Sequence, residues 1–152
     1  MPSSVDIDPA QREILLAEIE GVLETVREPE ARARYEELAG AVAEGIVEDG
    51  LLGSLEALTE MSLQTGRARK LHGAESEQAL LRLFHRTPRG AAARQATESV
   101  NQALKGLAGQ VLEDMLFTVQ APGVYRLGLS TDRVRLALQI DRHGVTVESL
   151  EV

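Results

Sequence analysis

The chain has 152 residues, a hydrophobic fraction of 43%, a charged fraction of 26% and a formal net charge of −8. That length and balance fit one globular domain able to bury its own core, and they argue against a disordered chain. With no cysteine, disulfide frameworks and thiolate metal sites are excluded as well.

The opening MPSSVDIDPAQ has neither a basic n-region nor an apolar stretch, and no apolar run approaches the ~20 residues needed to span a bilayer. A cytoplasmic protein of bacterial type, without a membrane partner, is the expectation. Aromatic residues are scarce: Tyr35, Phe84, Phe117 and Tyr125, with no tryptophan. The core must therefore be built from Leu, Val, Ile and Ala, and little is available for stacking single-stranded nucleic acid.

The first predicted helix starts at Asp8, a good N-cap, followed by Pro9 at a position where its missing N–H costs nothing. Leu15, Ile19, Val22 and Val26 recur at helical spacing, with Ile14 and Leu23 widening the stripe. Pro29 separates this helix (9–27) from a second (30–48), and so short a link predicts an αα-hairpin. The second carries Tyr35, Leu38, Val42 and Ile46, with Gly50 as its stop. A leucine-rich third helix follows over 51–63, closed by Gly66. The segment 67–73 reads as a polar connector or one further helical turn.

A fourth helix is predicted at 75–86, with Leu80, Leu81, Leu83 and Phe84 as buried candidates. Thr87-Pro88-Arg89-Gly90 breaks it, and a long fifth helix spans 90–114 with Val100, Leu104, Leu107 and Val111 on one face. Small residues, including Ala103, Gly106 and Gly109, leave another side of it open to close approach.

Near Met115 the apolar period changes from 3.6 to 2. Residues 116–120 form a short strand, an Ala-Pro-Gly turn follows, and Tyr125, Leu127 and Leu129 open a second. Val134, Leu136, Leu138 and Ile140 alternate with polar or small residues in the cleanest strand of the chain. Arg142-His143-Gly144 turns it into a last strand, whose parity slips at Glu148-Ser149, the mark of a bulge or of early fraying. The fold class is thus α+β: about five N-terminal helices, then a three- to four-stranded antiparallel meander packed on the last long helix. The whole, 1–152, reads as a single domain with an acidic part (1–60), a basic part (61–94) and a helix-plus-meander part (90–152).

The charge is uneven. Residues 1–60 hold fifteen acidic and four basic side chains, residues 61–94 seven basic and two acidic, and residues 95–152 five basic and seven acidic. Arg67, Arg69, Lys70, Arg82, Arg86 and Arg89 are therefore the candidate binding residues, for an anion or an acidic partner. The competing reading is that the basic segment folds against the acidic helices and is neutralised internally. Nucleic acid is disfavoured by the acidity of the whole chain and by the shortage of stacking residues.

Candidate chemistry is sparse. His72 and Glu75 have a spacing a metal could use on a helix, but Gly73 lies between them and no second pair faces them. His85 suits a helix end, and His143 falls in a turn. The Gly-Leu-Leu-Gly-Ser run at 50–54 lacks the lysine and the preceding strand of a phosphate loop, so a helix stop and N-cap is the plainer reading. Ser54 and Ser76 have no nucleophile setting. No catalytic, metal or cofactor residue is assigned. The pattern favours a non-enzymatic interaction module, an accessory, adaptor or assembly subunit acting through helical faces and a sheet edge, as a homo-oligomer or with another protein. The alternatives are an anion- or nucleic-acid-binding regulator using 67–94, and a small enzyme with a pocket between sheet and long helix.

Overall fold

The structure, a computed structural model, describes residues 4–152. Among these residues six helices precede a four-stranded antiparallel sheet, the α+β arrangement the periodicity predicts. The chain divides into two compact units, Met1–Ala91 and Ala92–Val152, with the boundary inside one helix.

In the first unit, β1 (Ser4–Asp6) leads into α1 (Pro9–Thr25), α2 (Pro29–Glu44), β2 (Ile46–Glu48), α3 (Asp49–Gln64), α4 (Arg67–His72) and α5 (Ala74–Phe84). Asp8 caps α1 as its residue type predicts. Its carboxylate accepts from the Gln11 N–H, and the Gln11 side chain returns the bond to the Asp8 N–H, a reciprocal capping box. Leu15 and Ile19 of α1, Leu38 and Val42 of α2, Leu52, Leu55 and Leu58 of α3, and Leu80 and Leu83 of α5 form one core. Residues 26–28 link α1 to α2, so the αα-hairpin stands.

Two expectations change here. The second helix ends at Glu44 instead of 48, because Gly45 takes the left-handed conformation (φ 91°) and caps it, its N–H bonding to the carbonyls of Ala41 and Val42. Gly50 is not the stop; it lies in the first turn of α3. The freed β-branched pair Ile46-Val47 then extends as β2 and pairs with β1, Val5 opposite Val47, with both valines buried. Ile46, expected on the helical stripe, faces outward. The segment 67–73 resolves as the short helix α4, set between Gly66 (φ 72°) and Gly73 (φ 92°), with Ala68 as its buried contact.

The last helix, α6 (Pro88–Lys105), begins in the first unit. Thr87 caps it: the hydroxyl accepts from the Gly90 N–H and donates to the Phe84 carbonyl. A Cβ on Gly90 would overlap that same carbonyl oxygen, so only glycine admits so close a passage. The helix ends at Lys105, nine residues short of the predicted 114. A turn through Gly106 and Gly109 (φ 77°) stops it, which leaves Val111, expected on its apolar face, 79% exposed.

The second unit is completed by β3 (Asp114–Ala121), β4 (Val124–Ser130), β5 (Arg135–Asp141) and β6 (Gly144–Glu151), paired in sequence order. Val100 and Ala103 of α6 pack on Leu129, Leu136 and Leu138, the packing the sequence predicts. The parity slip in the last strand is a bulge, not fraying. Ala137 pairs with Ser149 and Leu138 with Val147, so Glu148 is the extra residue, and the ladder continues to Glu151.

Candidate functional site

The six basic candidates divide into two groups. Glu18, on the core side of α1, is only 3% exposed. Arg67, at the start of α4, donates to its Oε2 at 2.9 Å, and His72, at the end of the same helix, has Nε2 3.0 Å from its Oε1. A buried carboxylate is costly unless paired, so both ends of this short helix are tied to α1 through one side chain. His72 is thus engaged with Glu18 and not with Glu75, its neighbour in sequence.

Arg89 is engaged as well. Its N–H donates to Glu56 Oε2 and its guanidinium to Glu60 Oε2, each at 2.6 Å, which brings two α3 carboxylates to the first turn of α6. Their negative charge is favourable at a helix N-terminus. Arg86 donates to the side-chain oxygen of the buried Gln11, whose amide in turn donates to the Ala79 carbonyl. Arg67, Arg86 and Arg89 therefore serve the first unit's own packing. Arg69, Lys70 and Arg82 remain exposed and form no ion pair among the described residues.

The grooves of this unit are open. One of about 900 Å³ runs between α1 and α5 past Glu13, Ile14, His72, Glu75 and Arg82. Another of about 560 Å³ is lined by Val22, Met61, Arg67, Lys70 and Leu71. No group of three or more His, Cys, Asp or Glu able to hold a metal occurs among the described residues, and no helix there is long and apolar enough to cross a membrane. His85 ends α5 beside Phe84. His143 sits in the β5–β6 turn, where its N–H donates to Asp141. That bond, a further one from the Gln139 side chain and the nearby His143 ring hold the Asp141 carboxyl below its ordinary range.

A second surface belongs to the sheet. Cross-strand pairing sets Met115 opposite Leu129, Phe117 opposite Leu127 and Val119 opposite Tyr125; Leu127 faces Leu138, and Leu129 faces Leu136. These side chains share one face with Ile140, Val145 and Val147. The face is apolar throughout, yet its covering is uneven. Four strands spaced ~4.8 Å apart make a surface wider than one helix of about 10 Å, and α6 lies over Leu129, Leu136 and Leu138. The β3 side is left bare: Met115 is 64%, Phe117 57% and Val119 67% exposed. Leu116, on the opposite face, is exposed too.

β3 is also an edge strand, so its outer backbone groups have no neighbour in the sheet. The Thr131 N–H donates to the Val134 carbonyl, which sets the alternation along β4. Arg126, Gly128 and Ser130 turn their N–H and C=O groups toward β3, and so Met115, Phe117 and Val119 turn theirs to the open side. The Met115 N–H accordingly finds its acceptor in the adjacent Asp114 side chain, at 2.9 Å. β3 has one irregularity, at Gln120 next to its hairpin turn. The other edge, β6, is broken mid-strand by the bulge at Glu148, whose carboxylate pairs with Arg126, and carries Glu151 near its end, devices that discourage pairing.

The basic segment was legible from charge, but nothing in the sequence marked β3 as the exposed strand. Its run Met-Leu-Phe-Thr-Val reads as a buried one. No known family, no curated protein and no solved structure matches the chain.

Proposed function

We propose that the chain is a non-enzymatic protein-interaction module, an accessory or assembly subunit that binds through the open edge and bare apolar flank of β3. The observation that carries this reading is the coincidence on one strand of exposed Met115, Leu116, Phe117 and Val119 with outward backbone groups that no further strand of the sheet meets. Contiguous apolar surface left exposed on a folded protein is a mark of interaction sites, and a free edge offers main-chain hydrogen bonds to an added strand.

Two other readings receive less support. The anion-binding alternative rests on six basic side chains, of which Arg67, Arg86 and Arg89 are already engaged internally. The enzyme alternative needs a pocket between the sheet and α6, where the contact is a packed cluster of Val100, Ala103, Leu129, Leu136 and Leu138.

The test has two arms, light scattering on the purified chain and affinity capture from its native host, each repeated with Phe117→Lys. The proposal expects an oligomer or a specific partner that the substitution removes. A strict monomer that recovers no partner, or association indifferent to residue 117, overturns it.

A further inference from the structure

We infer that the partner of β3 is β3 of a second copy, paired antiparallel about a two-fold axis at Phe117. This deepens the interaction reading and rests on it.

A two-fold interface requires self-complementarity, and the β3 edge has it. With Phe117 on the axis, Met115 of each copy faces Val119 of the other, and Phe117 faces its own copy. All three pairs lie on the bare apolar face, so apolar side chains meet only apolar ones. On the reverse face Leu116 meets Thr118. Asp114, the one charged residue of the strand, falls at the irregularity of the partner strand at Gln120 and not opposite itself, so no like charges are opposed.

The backbone agrees with this register. Met115, Phe117 and Val119 are the residues whose N–H and C=O groups point outward, so Phe117–Phe117 and the two Met115–Val119 pairs are hydrogen-bonded pairs, with six bonds across the seam once the Met115 N–H of each copy exchanges the Asp114 side chain for the partner strand. Moving the axis to Leu116 would set Glu113 opposite Val119, a charge against an apolar side chain. β6 offers no equivalent: its bulge at Glu148 falls mid-strand, between Val147 and Ser149, whereas the irregularity of β3, at Gln120, lies beyond the paired run Met115–Val119. The two sheets join into one of eight strands, and the bare flanks of both copies become its middle.

The absence of cysteine makes the register directly readable. Directly opposed hydrogen-bonded residues have Cα atoms about 5.5 Å apart, within the range a disulfide spans. Under mild oxidation Phe117→Cys should cross-link to a dimer. Met115→Cys alone should not, since its copies lie four residues out of register, roughly 13 Å along the strand. Mixing Met115→Cys with Val119→Cys should restore the cross-link.

Light scattering should give a dimer for the unsubstituted chain and a monomer for Phe117→Lys, with unchanged far-UV circular dichroism. Should Phe117→Lys fail to fold, the cysteine series still decides. A monomeric unsubstituted chain, or cross-linking at Thr146→Cys on the β6 edge equal to that at Phe117→Cys, overturns self-pairing. If the chain is monomeric yet Phe117→Lys removes a captured protein, self-pairing fails while the interaction reading stands. If residue 117 affects neither, both fail.

Discussion

Phe117 and Tyr125 stack across β3 and β4 with ring centroids 5.5 Å apart, and the outer ring, Phe117, remains more than half exposed. The stack steadies the edge strand while leaving most of one aromatic face to solvent. Replacing Phe117 by Ser in the monomeric state should therefore cost only about 1 kcal/mol, the worth of one aromatic pair, because no core side chain is removed. Urea denaturation at low protein concentration measures it. A loss of 3 kcal/mol or more would mean that Phe117 belongs to the core and not to a binding surface.

The Glu18 cluster makes a second prediction. Arg67 is half exposed and His72 partly so, whereas Glu18 is buried. Arg67→Ala or His72→Ala each leaves Glu18 one partner and should cost about 1 kcal/mol. Removing both strands a buried carboxylate, and the pair should cost about 3 kcal/mol or more, above the sum of the singles. A double-mutant cycle in urea checks this, and strict additivity contradicts it.

Glycines separate into those the backbone needs and those it does not. Gly90→Ala drives a Cβ into the Phe84 carbonyl, and it should cost about 3 kcal/mol, the upper end for overpacking. Gly40 lies mid-helix in α2 with nothing within 4 Å of a built Cβ. Gly40→Ala should stabilise by about 0.5–1 kcal/mol through helix propensity. Thermal melts of the two variants should shift in opposite directions.

The Asp141 carboxyl, lowered from 3.8 chiefly by the His143 N–H, gives a pH dependence of known sign. Its contribution to the β5–β6 turn is complete well above pH 3.8 and is lost as pH falls through its own lower value. Asp141→Asn should remove that pH dependence. Amide exchange at Arg142 to Gly144 in acid, compared between the two proteins, reads the difference.

Helices and meander were legible because their apolar spacing runs for many residues. Leu15-Ile19-Val22 and Leu136-Leu138-Ile140 each repeat long enough to fix period and buried face. The β1–β2 pair was not, since strands of three residues contain no period and Ile46-Val47 continues the helical stripe of α2 without a break in pattern. Which of Gly45 and Gly50 stops that helix depends on the pairing of Val47 with Val5, some forty residues away. The candidate site was half legible. The basic run at 67–89 stood out by charge, but its acceptors Glu18, Glu56 and Glu60 sit 29 to 49 residues distant in sequence. The bareness of β3 depends on how far α6 reaches across the sheet, which no local pattern encodes.

The bulge at Glu148 also bears on how large an assembly can grow. A sheet with two open edges has a valence of two: each copy added exposes a fresh edge, and growth continues toward a fibre. Here the β6 edge is bent at Glu148, so the four-stranded sheet has a valence of one, and joining through β3 uses up the edge this sheet leaves open on both sides. Excision of Glu148, which would straighten β6 and restore its register with β5, should turn a closed pair into an open-ended polymer.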